Sequence, residues 1–215
     1  MNSCSEADRA ILWHTDRVTG DIQIVQSTDP RLPKLVQSGY VVVGESWGAR
    51  LRLGDPLDLS ALNAAVIAAT HRGFLIQELE AGWAAQVTAL EALNYSDYPA
   101  TPATAAPHRD ESDVLELWAS GCRLFGAVGD GQLVALSVIT VTAARAETEF
   151  TSVHPSYRRR GLAVAVKAAS IRALAHDGAR LFGTGGAQVN VGSIRMNERL
   201  GYVIEERWLS LARPV

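Results

Sequence analysis

The sequence predicts a mixed α/β sheet flanked by helices, preceded by a small β-rich extension. Three observations carry this. The C-terminal two-thirds reads helix, helix, strand, strand, strand, helix, strand, helix, strand, and a hairpin feeding βαβαβ builds a mixed sheet. Asp130-Gly131 separates two apolar runs, a strong hairpin-turn signal. The stretch from Ala10 to Leu53 is instead rich in strand-like runs.

The elements follow in order. "ILWHTD" and "DIQIVQS" flank a turn at Gly20, and "DPRLPKLVQ" reads as a short helix stopped by Gly39. "YVVVGESWGARLRL" reads as one long strand or two short ones, and "DLSALNAAVIAAT" as an alanine-rich helix. His71 to Leu79 holds a short strand. Glu80 to Leu93 has helical spacing through Trp83, Val87, Leu90 and Leu93. "YSDYPATPATAAPH" is proline-rich and irregular, and long loops of that kind are often functional. "DESDVLELWAS" restarts a helix with acid in its first turn. A hairpin and the strand "ETEFTSV" follow, then a helix with Leu162, Val166, Ala169 and Ala173 on one side. "ARLFGTG" is a strand, "NVGSIRMNERL" a helix ended by Gly201, and "YVIEERWLSLA" a strand.

Length and composition narrow the classes. A chain of 215 residues favours one domain, or one plus a small appendage, and the pattern divides it into an extension over residues 1–60 and a main domain over 70–215. A formal net charge of −3 gives no support to a nucleic-acid or membrane-surface protein. The 2 cysteines, Cys4 and Cys122, form neither a disulfide framework nor a metal spacing. His108, His154 and His176 are scattered, so no metal is expected. "MNSCSEADRA" has no apolar signal core, and no apolar run reaches membrane-spanning length. The expectation is a soluble, cytoplasmic protein.

The densest positive charge lies in "TSVHPSYRRRGLAVAVKAAS", between a strand and a helix. A strand ending at Val153 and a helix entered near Arg159 leave free N–H groups at the helix start. Those donors and the helix dipole attract anions. Gly161 and Ala163 let a ligand approach the backbone. Arg158, Arg159 and Arg160 add charge for a phosphorylated ligand. The bland alternative is a solvated arginine cluster on a turn.

Arg158-Arg159-Arg160-Gly161-Leu162-Ala163 resembles the pyrophosphate loop of the GNAT N-acetyltransferase superfamily, Gln/Arg-x-x-Gly-x-Gly/Ala. "SVHPSY" is similar to that family's strand exit, and "NVGSIRMNERLGY" to its later Asn-led helix ending in Leu-Gly-Phe/Tyr. Together they look most like a group often found as tandem copies, and the resemblance covers about Arg72 to Leu211. It implies a mostly antiparallel sheet with a central splay, into which acetyl-CoA enters as co-substrate. The backbone around Ser152 and Val153 would pair with the pantetheine arm, the loop from Arg158 through Leu162 to Ala163 would hold the pyrophosphate, and Asn190 would contact the pantetheine region. Asn190 reads equally well as a helix N-cap. "SGYVVVGESW" resembles "LGYVIEERW", so the N-terminal extension can be read as a partial second copy, or simply as common strand-entry sequence.

Acetyl transfer to an amine needs positioning, a base and an oxyanion donor. On "ETEFTSV", strict alternation puts Glu147, Glu149, Thr151 and Val153 on one face. Two carboxylates there raise each other's pKa. Counting back from Arg158, Glu147 matches a catalytic glutamate of several family members, with Glu149 as ammonium anchor or alternate base. Both can also be read as surface acids paired with arginines. Many members carry an acidic tyrosine where this chain has Asn197, so the general acid is unassigned; Tyr202 reads as core, and Tyr157 is a candidate. Trp83 is the tryptophan nearest the expected acceptor region.

The acceptor implied is a small-molecule amine, cationic in keeping with the two glutamates. A protein N-terminus or lysine is the alternative acceptor, and a non-catalytic acyl-CoA module the alternative class. A homodimer through residues 1–60 is a further option.

Overall fold

The computed structural model describes residues 21–99, 101–104, 107–142 and 145–213. "ILWHTD" and Cys4 lie outside them. Eight strands form one sheet: β1 (Ile22–Gln26), β2 (Val41–Arg52), β3 (Leu75–Leu79), β4 (Arg123–Gly129), β5 (Gln132–Thr142), β6 (Arg145–Val153), β7 (Leu181–Ala187) and β8 (Val203–Ala212). The helices are α1 (Leu32–Gln37), α2 (Ser60–Thr70), α3 (Ala84–Asn94), α4 (Glu111–Ala119), α5 (Leu162–His176) and α6 (Val191–Arg199).

The strand order is β1-β8-β2-β7-β6-β5-β4-β3. All pairings are antiparallel except β6 with β7. The mixed, mostly antiparallel sheet of the sequence reading is therefore present. Helices α2 and α5 cover one face, where Leu62, Val66, Ile171 and Leu174 meet Phe125, Ile139 and Phe182. Helices α3 and α4 cover the other, where Val87, Leu90 and Val114 meet Leu79, Leu124, Leu136 and Val138. Strand β5 lies under both layers, so Leu133 through Ile139 are buried without alternation. Among the described residues, no helix is long and apolar enough to cross a membrane.

Local chemistry sets the boundaries. Asp130 (φ 51°) and Gly131 (φ 75°) form the turn that closes β4 onto β5. Asp110 caps α4 in a capping box with Asp113. Gly126 marks a tight spot within the sheet, where leucines of the two flanking strands close over β4: a Cβ there would lie 2.6 Å from Leu133 Cδ1 and 2.9 Å from Leu79 Cδ1. Gly126→Ala is expected to cost about 1–3 kcal/mol through overpacking. Urea unfolding checks this, and an unchanged midpoint would show that the two leucines yield freely.

Residues 22–52 join the sheet intimately. Strand β2 lies between β7 and β8, and β8 lies between β1 and β2. Thus β1-α1-β2 and β7-α6-β8 are two interlocked crossovers. Gly39 and Gly201 each have φ 87°, and each precedes a buried tyrosine, Tyr40 or Tyr202.

Two expectations about faces need correction. The buried side of α3 runs through Val87, Leu90, Glu91 and Asn94, while Leu93 is exposed. On β6, a bulge shifts the register between Val138 and Ile139 of its partner. Glu149 bonds Thr140, whose hydroxyl meets Cys122, and Phe150 packs on the α3/α4 layer. Thr151 instead bonds Ser137, and Val153 packs under α5. The extra residue resets the alternation, so Glu147 and Glu149 do not share a face with Thr151 and Val153.

Candidate active site: a cleft where the sheet splays

Among the described residues, strands β6 and β7 pair only from Arg145 opposite Leu181 to Glu147 opposite Gly183. Beyond Glu147, β6 keeps its partner β5, while β7 keeps β2 as far as Ala187. A gap therefore opens between Thr148–Val153 and Thr184–Ala187. It is the centre of a cleft of about 1720 Å³. Glu147, Glu149, Ser152, Val153, Arg158, Arg159, Gly161, Leu162, Ala163 and Asn190 all line it. Arg160 is not in that lining: its guanidinium lies over Tyr157, 5.1 Å from the ring centroid.

At one end is the Arg158–Ala163 loop. Arg159 (φ 61°) and Gly161 (φ 77°) are left-handed, and Gly161 caps α5. Among the described residues, nothing accepts a hydrogen bond from the amides of Arg159 through Ala163. Successive free amides at a helix start form an anion-binding nest. The loop is braced from both sides. Arg72 donates to the Arg160 carbonyl at 2.7 Å. Arg158 donates to Asn94 Oδ1 at 2.5 Å, to Asp97, and to the Val153 carbonyl at 3.2 Å. So Arg158 holds the loop against the end of α3 as well as adding charge.

The gap continues from this loop. Ser152 is buried and its hydroxyl accepts from Asn94 at 2.8 Å. Asn190 caps α6 by accepting from the Ser193 amide at 3.0 Å and faces the cleft at the same time. Free amides, an unzipped strand edge and sufficient volume fit an extended phosphorylated ligand.

At the other end are the carboxylates. Glu147 lies over Gly183, whose missing side chain makes the room: a Cβ there would stand 1.8 Å from Glu147 Oε2. Arg145 approaches Glu147 at 3.3 Å, and Arg50 is held by Glu206 at 3.2 Å. Burial pushes the Glu147 carboxyl above the usual carboxylate range, Arg50 and Arg145 pull it back, and Glu149 and Glu206 push it up again. Glu149 accepts from Thr140 at 2.5 Å.

The sequence reading missed a polar group on the helical wall. Glu91 of α3 is buried, accepts weakly from Tyr98, and lies 3.9 Å from Arg109. Its pKa is raised, mainly by burial. The available signal was a charged residue on the apolar side of α3. Lys167 was missed too. It is wholly buried and donates to Thr184 Oγ1 at 2.9 Å and Asn197 Oδ1 at 2.6 Å. Asn197 is thus turned onto this lysine. Tyr202 is core, as expected, and its hydroxyl is buried without a partner among the described residues. Trp83 packs in the α3/α4 layer and does not line the cleft; Trp47 does, donating to the Ala187 carbonyl at 3.3 Å. Tyr157 lines the cleft, wedged edge-on against Phe74 and His154.

Comparison with known proteins agrees with this geometry. A search of curated protein sequences finds no match. Among solved structures, a GCN5-related N-acetyltransferase from Sphaerobacter thermophilus superposes with a TM-score of 0.65 at 17% identity, over 90% of this chain and 60% of that one. A tandem GNAT protein from the clavulanic acid biosynthesis pathway gives 0.63 at 22% identity, over 89% and 62%. An acetyltransferase of the GNAT family from Novosphingobium aromaticivorans gives 0.53 at 19% identity, over 93% and 77%. This chain thus spans about three-fifths of the first two, and at these identities the likeness is one of fold. The model of the acetyltransferase (GNAT) family matches residues 87–202, more than half of the chain. The chain that splays its sheet beside a nest of free amides is a member of the GNAT acetyltransferase family.

Proposed function

We propose that this protein is an N-acetyltransferase that passes an acetyl group from acetyl-CoA to a primary amine of a small molecule. The observation that carries the reading is the run of unpartnered amides from Arg159 to Ala163, opening onto the gap between β6 and β7. Acetyl-CoA supplies an activated thioester. Ser152 and Val153 offer the backbone edge along which its arm would lie. Asn190 stands across the gap. Glu147 takes the proton from the attacking ammonium, directly or through water, and its raised pKa suits a base working near neutrality. Glu149, two residues on and facing the same way, anchors the ammonium.

Calorimetric titration with acetyl-CoA tests the reading, with Arg158→Ala and Gly161→Asp alongside. The wild type is expected to bind, and both variants to lose roughly tenfold or more in affinity, Gly161→Asp by placing a strained, negative side chain in an anion nest. No binding by the wild type would end the reading.

Asn197 favours one alternative, an acyl-CoA-binding module without turnover, because its side chain serves Lys167 rather than the cleft. Thiol release with any primary amine decides against that alternative.

A further inference from the structure

The charged side chains at the carboxylate end of the cleft are not equally committed. Arg50 is bound by Glu206 and by the Ala49 carbonyl, and Arg145 by Glu147. Arg109 is different. Its side chain is only 11% exposed, yet among the described residues it donates no hydrogen bond. Its one ion pair, to Glu91 Oε2, is 3.9 Å long, beyond hydrogen-bond reach. Its guanidinium stands over Phe150, 4.7 Å from the ring centroid. A stacked guanidinium keeps its fork of N–H donors in plane and available. Arg109 lines the cleft and its unbonded nitrogens are open to it rather than sealed in the core, so this arrangement points to an anionic guest.

The bulge on β6 supplies the opposite charge beside it. It turns Glu149 and Phe150 to the same side, so a carboxylate adjoins the ring that carries Arg109. Glu149 has no ion pair among the described residues and accepts only from Thr140. A carboxylate held only by Thr140 and a guanidinium with one long ion pair and no hydrogen bond therefore line the same cleft as Phe150.

We propose that the acceptor amine also carries a carboxylate: Arg109 holds the carboxylate across the Phe150 ring while Glu149 draws the ammonium towards Glu147. The acceptor class is then a free amino acid rather than a polyamine, an amino sugar or a peptide terminus. This rests on the acetyltransferase reading above. The transfer is balanced within that reading: the amine nitrogen forms the amide bond and the thioester C–S bond breaks, and of the two protons that the ammonium loses one goes to Glu147 and the other, through water, to the departing thiolate.

The test compares α- and ω-amino acids with the amines that their decarboxylation would leave, such as lysine with cadaverine and phenylalanine with phenethylamine. Free thiol is measured with acetyl-CoA as donor. A charge-assisted fork should favour each amino acid over its twin by about tenfold or more in kcat/KM. Arg109→Gln should collapse that ratio towards one and leave acetyl-CoA affinity unchanged, which separates acceptor recognition from a damaged fold. Arg109→Lys should restore part of it. Equal or better turnover of the twins overturns the proposal and leaves the acetyltransferase reading standing. Bound acetyl-CoA with thiol release from neither set, or a ratio that Arg109→Gln does not move, overturns it as well. Failure of the wild type to bind acetyl-CoA marks the loss of the parent reading instead, and this inference falls with it.

Discussion

Glu147→Gln is expected to lower kcat by about 10²–10⁴-fold, the usual worth of a positioned base, while acetyl-CoA affinity stays within roughly twofold. The substitution keeps shape and removes the charge that faces Arg145 and Arg50. The pH profile provides the sharper check. Burial raises the Glu147 pKa, so wild-type turnover should climb with pH as this carboxyl loses its proton, and the Gln variant should lose that limb. Gly183→Ala offers an independent route to the same end. Its new Cβ would occupy the space of Oε2, so the carboxylate must swing away while keeping its charge. A fall in turnover there of about tenfold, without loss of acetyl-CoA binding, would tie the rate to the position of the carboxylate. Retention of wild-type kcat by Glu147→Gln would remove it as the base and leave Glu149 in that role.

Lys167 should make the fold more stable in mild alkali than at neutrality. Burial pulls its pKa down from 10.5 to about 7, against the pull of Glu147 upwards. Between those two values the unfolded chain binds the proton and the folded one releases it, so stability rises with pH across the window and is lost as pH falls through about 7. From pH 7 to 9 this group alone should add about 2 kcal/mol. Tyr202, whose pKa burial raises, acts only above that range, so the measurement belongs below pH 10. Lys167→Met removes the titration. It also leaves Asn197 Oδ1 without its donor, a cost of about 1–3 kcal/mol that does not vary with pH. Urea midpoints of the two proteins against pH should therefore diverge as pH rises. Parallel curves would show that the lysine is solvated or paired when folded.

Much of this was legible beforehand, and for identifiable reasons. The turn from the arginine run into α5 was legible because a helix start with φ-permissive glycine is set by local backbone demands. Asp130-Gly131 was legible because its backbone demands are local. The bulge at Glu149 was not, since one inserted residue leaves no mark on an alternating pattern and is fixed by pairing with β5. Glu91 and Arg109 were not either, because only folding brings a residue of α3 within 3.9 Å of one beyond the proline-rich stretch and sets that arginine over Phe150. Lys167 stood alone in an alanine-rich helix, but only the closing of α6 over α5 shows that nothing wets it. The place of β2 was invisible for the plainest reason: its neighbours are distant in sequence.

That distance has a bearing on how the chain reaches its native state. Trp47 donates to the carbonyl of Ala187, 140 positions away. Strand β2 is made well over a hundred residues before either of its neighbours, β7 and β8. Until they arrive, its valines and Trp47 have no sheet to enter, and β1 lacks the strand that joins it to the rest. Loop closure over such spans is slow and entropically costly. Half-made chains should consequently be the aggregation-prone species, and completion of the sheet the late, cooperative event of folding.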